Sequence, residues 1–217
     1  MPAQNLQHLL RLTVGIVAVL TLLVYFSPDA VPALASMATT SGSSGGPSAD
    51  PIPQLAVTLA PVPGADPPAL RATITNNNPF PVSFLDYDSP VDELAVPLGL
   101  VELTPAEGGS PVALDGRLLA NRPWPPRADF VVEVPAGGGT VVSGDIALRP
   151  ADVPYGKLGD AFSVRMKGPW RAVFAMPRSQ VTDELLEHIP EGARTYQGTF
   201  ESDRIVMNVD SAKLDLK

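Results

Sequence analysis

Between residues 55 and 209 the sequence repeats one pattern about ten times: short period-2 runs of apolar side chains broken by Pro and Gly. Alternation at period 2 sends every second side chain to one face, so each run suits a strand with one face buried. Pro fixes φ and lacks a backbone donor, while Gly opens left-handed backbone, so the breaks read as corners between strands. The 25 Pro and 18 Gly are compatible with a folded body because 45% of the chain is hydrophobic. A disordered chain carries fewer aliphatic residues than this.

The runs can be followed one by one. Leu55, Val57 and Leu59 point one way, and Leu70, Ala72 and Ile74 alternate with Arg71, Thr73 and Thr75. Asn76-Asn77-Asn78 before Pro79 is a turn signal, since Asn tolerates left-handed backbone and Pro fixes the next corner. Val82 and Phe84 carry the next strand, and weaker ones are expected at 100–103 and 112–114. Phe130, Val132 and Val134 form an inward set against Val131 and Glu133, followed by Val142, Gly144, Ile146 and Leu148. Phe162, Val164 and Met166 come next, then Trp170, Ala172 and Phe174, and finally Ile205, Met207 and Val209. One helical piece interrupts the series: Thr182 caps it, Asp183 and Glu184 suit its first turn, and it ends near His188 ahead of Pro190. The expected fold is all-β, a two-sheet antiparallel immunoglobulin-like sandwich with one short helix near 182–189. The Cys…Trp…Cys signature of antibody domains is missing, because the chain has no cysteine.

The N-terminus reads differently. Residues 13–26 carry no charge and span roughly 21 Å as a helix, short of the hydrocarbon core of about 30 Å. Ala33-Leu34-Ala35 offers the small-x-small pattern of a signal-peptidase site. Residues 1–35 are therefore expected to be a secretory signal peptide or, if uncleaved, a single-pass signal-anchor. In either case the body is secreted or extracellular, since the positive charge of Arg11 precedes the apolar run. Residues 36–53 form a Ser/Gly/Pro-rich linker, and 54–217 the sandwich domain.

The inventory for chemistry is sparse. Without Cys there is no disulfide, thiolate metal site or Cys nucleophile. The net charge of −8 argues against nucleic acid, whose phosphates need clustered Lys and Arg. His188 sits in E-L-L-E-H, which has no second His and so is not a zinc-hydrolase motif. Phosphate-loop and dinucleotide patterns do not occur. The expectation is a non-enzymatic chain with no cofactor and no metal.

Two groups remain as candidate binding residues. Asp86, Asp88, Asp92 and Glu93 could hold a hard cation or serve a small hydrolase, against the plainer reading of a solvated strand end. Arg122, Trp124 and Arg127 lie in a Pro-rich stretch. An exposed Trp124 would stack on a sugar or a partner; otherwise it plugs the end of the sandwich. Trp170, in a strand pattern, reads as core.

The order of segments also carries a likeness. LAVTL is followed by ATITNNN, FLDYDSPVD, VALDGRL, FVVEVPAGGGTVVSGDIAL and SDRIVMNVD. This order resembles the N-terminal prodomain of deuterolysin-type (aspzincin) fungal metalloendopeptidases across residues 55–210. The resemblance implies a secreted prodomain-like protein without the catalytic domain, free-standing or part of a longer gene. It also implies a secreted metalloprotease as partner, bound as inhibitor or folding aid. The rival expectation is a cell-wall or adhesion module that binds glycan through Trp124. The membrane enters only through an uncleaved N-terminal segment.

Overall fold

The computed structural model describes residues 50–189 and 194–214. The expected signal or anchor, and the linker before residue 50, lie outside the described residues. Ten strands form two antiparallel sheets: β1 Leu55–Pro61, β2 Ala69–Asn76, β3 Val82–Leu85, β4 Val101–Pro105, β5 Val131–Val134, β6 Gly139–Val142, β7 Ile146–Ala147, β8 Ala161–Phe174, β9 Thr195–Glu201 and β10 Ile205–Asn208. Two short α-helices, α1 Asp183–Glu187 and α2 Ser211–Leu214, and four single-turn 3-10 segments complete the regular structure of the described residues.

The first sheet has β2 at its centre. β1 pairs along its whole length, from Leu55↔Asn76 to Pro61↔Leu70. β6 and β7 share the other edge. The second sheet is built on β8, the longest strand. β10 and β9 run end to end along one of its edges, and β4 and β3 along the other. β5 extends that sheet by pairing with β3.

The inner faces meet in one core that includes Leu70, Ile74, Phe84, Leu103, Phe162, Val164, Met166 and Trp170. Trp170 lies 5.0 Å from Phe84 and 5.2 Å from Phe200, ring centre to ring centre. A side chain at Gly168 would meet the Phe200 ring at 2.9 Å, so glycine is what lets that ring close over the strand. At the corner before β8, the buried Tyr155 hydroxyl donates to the Leu148 carbonyl at 2.6 Å. A tyrosine reaching back in this way is the tyrosine-corner device of immunoglobulin-type sandwiches.

Four expectations need correction, and each has a physical reason. Trp170, Ala172 and Phe174 do not share a face. Between Trp170↔Gly198 and Val173↔Tyr196, β8 advances three residues while β9 advances two. That extra residue is a bulge, and it flips every later side chain. Val173 therefore joins Trp170 in the main core, while Ala172 and Phe174 face the other way. The same device acts between β6 and β7, where Thr73↔Val142 and Leu70↔Ile146 leave one residue over. Val142 points outward and is 53% exposed, whereas Ile146 and Leu148 are buried. The Ser143 hydroxyl accepts from Ala72 N at 2.9 Å, so the ladder is bridged across the bulge.

Val131 is the third correction. It lies opposite Val132 and Val134 as alternation requires, yet it is buried. Phe130, expected to share their face, ends a 3-10 turn and packs on the same side as Val131. The outer face of β3, β5 and the end of β8 forms a second core from Leu85, Val131, Ala172 and Phe174, and Met176, Val181, Leu186 and Ile189 cover it. The covering segment includes α1, whose Thr182 hydroxyl accepts from Leu185 N at 3.3 Å. Last, no strand forms at 112–114. Val112 N donates to the Leu103 carbonyl at 2.8 Å, and Val112 and Leu114 pack on the main core as parts of a loop.

Candidate functional site

The two candidate groups, distant in sequence, meet through one pair, Asp92 and Arg122. Beyond β3 the chain makes a tight turn in which Ser89 N donates to Asp86 O and Asp92 N to Ser89 O. Asp92 is buried and organises the turn. Its carboxylate accepts from Asp88 N at 2.8 Å and from Leu94 N at 2.9 Å. Arg122 then reaches it from the long β4–β5 connection, with Nη2 at 2.7 and 2.6 Å from the two oxygens. The Arg122 guanidinium also lies over the Tyr87 ring, 5.0 Å from its centre.

Around this pair three buried polar atoms have no hydrogen-bond partner among the described residues: Asp86 Oδ1, the Tyr87 hydroxyl and Arg122 Nε. Asp86 is pushed up to about 6, first by burial and then by the charge of Asp92, with Arg122 opposing the rise. Burial, followed by the Asp86 charge, likewise raises the Tyr87 hydroxyl above its ordinary value.

The other candidate residues turn elsewhere. Asp88 accepts from Arg171 Nε at 2.5 Å and carries a φ of 58°, a left-handed conformation that Asp tolerates. Glu93 is exposed. Arg127 pairs with Asp129 at 2.5 Å, and both are exposed. Among the described residues no group of three or more His, Cys, Asp or Glu is arranged to hold a metal ion. Trp124 is 55% exposed, in contrast to Trp170 at 2%.

The β4–β5 connection itself is the more telling element. Residues 106–127 contain no strand and no helix. Loops this long are uncommon and usually serve either as functional segments or as linkers. This one displays Leu118 at 41%, Leu119 at 100% and Trp124 at 55% exposure. It is held by Val112 N on Leu103 O, Asp115 N on Asp152 O and Leu118 N on Pro97 O, besides the Arg122–Asp92 pair.

Beside it lies a groove of about 610 Å³, rimmed by Leu118 of the loop and by the β6–β7 corner. Its apolar wall includes Leu94, Pro97 and Ile146. Four carboxylates, Asp92, Glu93, Asp145 and Asp152, line it against one cation, Arg149.

A family model described as an immunoglobulin-like domain matches residues 54–209. The chain belongs to that family. A comparison with curated proteins returns no match. In this immunoglobulin-like domain the candidate site sits where connections between the strands gather, while the sheets supply the rigid support.

Sequence reasoning missed Leu118, Leu119, Tyr87 and the carboxylates of Asp145 and Asp152. Two adjacent leucines in a stretch with no alternation were the available signal, because neither periodicity nor a corner accounts for them. Nothing local marks Asp145 or Asp152, which reach the groove only through the sandwich topology.

Proposed function

We propose that this immunoglobulin-like domain is a non-enzymatic, secreted or surface-anchored binding module. Its contact surface is the 106–127 loop together with the turn at 86–93. Its partner, in this reading, is a secreted aspzincin-type metalloprotease that it restrains or helps to fold. The observation that carries the proposal is the loop. It presents Leu118, Leu119 and Trp124 to solvent from a body whose other large apolar side chains, apart from Val142 and Val206, are buried or half-buried among the described residues. Exposed aromatic and apolar anchors on a rigid support are how binding surfaces are built. The resemblance of its segment order to metalloprotease prodomains is what supports the choice of partner.

The test is a titration of a secreted aspzincin with the full chain, reading proteolytic rate and refolding yield. Saturable inhibition or a raised yield is expected, with Trp124→Ala weakening the effect about tenfold, as a contact anchor would. Unchanged proteolysis and yield, with no measurable affinity, would overturn the protease reading.

A second reading is favoured by the exposed Trp124 alone: a cell-wall or adhesion module that stacks this indole on a sugar ring. A glycan-binding screen separates the two. Binding that Trp124→Ala abolishes supports the adhesion module, and binding indifferent to that change excludes Trp124 as the sugar platform.

A further inference from the structure

The groove beside the loop says what kind of surface the partner presents. We infer that the groove and the Leu118–Leu119 pair form one docking surface for a protein segment that is both basic and apolar. This rests on the reading of the chain as a partner-binding module.

Apolar contact comes first. Leu119 is 100% exposed, and its neighbour Leu118 rims the groove. A surface leucine pair gains from contact only if a partner supplies an apolar surface to cover it. The groove wall of Leu94, Pro97 and Ile146 continues that apolar surface inward. A volume of about 610 Å³ is of the size that accepts several side chains of an extended segment.

Charge then selects the occupant. The four carboxylates in the lining face one arginine. Two of them are already engaged, Asp92 by Arg122 at 2.6 Å and Asp145 by Arg71 at 2.5 Å. No ion pair among the described residues engages Glu93 or Asp152. A lysine or arginine entering the groove meets these two carboxylates within a surface of net negative charge. An acidic segment meets repulsion there. The chain's net charge of −8 acts in the same direction at longer range.

A lipid surface fits this geometry poorly. Laying Leu118 and Leu119 on an anionic bilayer brings the carboxylates of the groove against the headgroups, which costs Coulomb energy at low salt. A partner segment that alternates basic and apolar side chains satisfies both halves of the surface at once.

The experiment uses the full chain and a short fluorescein-labelled peptide that alternates lysine and leucine, read by anisotropy. Its controls are a glutamate–leucine peptide, a lysine–serine peptide, and vesicles of phosphatidylcholine with and without phosphatidylglycerol. Saturable binding of the lysine–leucine peptide is expected, weakened as salt rises. The pair Glu93→Gln with Asp152→Asn should weaken it about tenfold, and Leu119→Asp by a similar factor. Glu93 and Leu119 are exposed, so Glu93→Gln and Leu119→Asp remain interpretable if Asp152→Asn disturbs folding.

The inference is overturned if the glutamate–leucine peptide or the lysine–serine peptide binds as tightly. It is equally overturned by no binding, by indifference to these substitutions, or by tighter association with the anionic vesicles. A chain that takes up the lysine–leucine peptide but has no affinity for an aspzincin retains the groove and loses the protease reading. The reverse pair of results does the opposite.

Discussion

The side-chain amide of Asn76 is fully buried and donates to the carbonyls of Phe80, Val134 and Pro135, while its oxygen accepts from Asn78 N at 3.0 Å. Asn78 in turn donates to Asn76 Oδ1 and to Pro51 O, so two amides tie the end of β2 to three other segments. Deleting the first amide leaves several buried acceptors bare, and each such group costs roughly 1–3 kcal/mol. Asn76→Ala is therefore expected to lower unfolding stability by about 3 kcal/mol in denaturant titrations. Asp86 makes a prediction of the opposite sense. Its folded pKa, at about 6, lies above the ordinary value of 3.8. Folding therefore favours the protonated form. The contribution of this group is complete below pH 3.8 and is lost as pH rises through about 6. Asp86→Asn keeps the shape without the charge. It should stabilise the chain at pH 7.5, have little effect at pH 4, and flatten the stability profile between them. Denaturant midpoints at the two pH values check this, and equal shifts at both would refute it. The Asn triplet was legible as a turn from its composition. Its role as a buried clamp was not, because that depends on carbonyls more than fifty residues away.

Elements were legible wherever burial on one face alone decides the pattern. Leu70, Ala72 and Ile74 in β2, and Phe162, Val164 and Met166 in β8, fall inward as alternation requires. The reading failed at Ala172, Phe174 and Val142, each separated by a bulge from the residues whose face it was expected to share. One extra residue inverts the faces without leaving any mark in the local alternation. It also failed at Val131, where the second face is buried too. There the covering piece, around α1, comes from fifty residues further along the chain. That piece has a measurable weight. Leu186 is 1% exposed and plugs the second core, so Leu186→Ala should cost about 2–4 kcal/mol. The same variant should raise amide exchange in β5 and the end of β8 more than in β1 and β2. Uniform loss across both sheets would count against a separate second core.

For the whole molecule, class and site differ in how far the sequence reached. Periodicity with Pro and Gly corners was enough for an immunoglobulin-like sandwich, because burying one face of many short strands leaves few other architectures. The candidate site was half legible. Asp92 and Arg122 were singled out separately, and their meeting at 2.6 Å emerges only when the β4–β5 connection folds back across the strand ends. The groove was not legible at all, since its walls come from three separate stretches of chain. The central claim is that this end of the domain is its binding face. Hydrogen–deuterium exchange of the full chain, alone and with a saturating aspzincin metalloprotease, tests it most directly. The account predicts new protection confined to residues 86–97, 106–127 and 143–152, with β1 and β10 unchanged. Protection at β1 or β10 instead, or none anywhere, would contradict it.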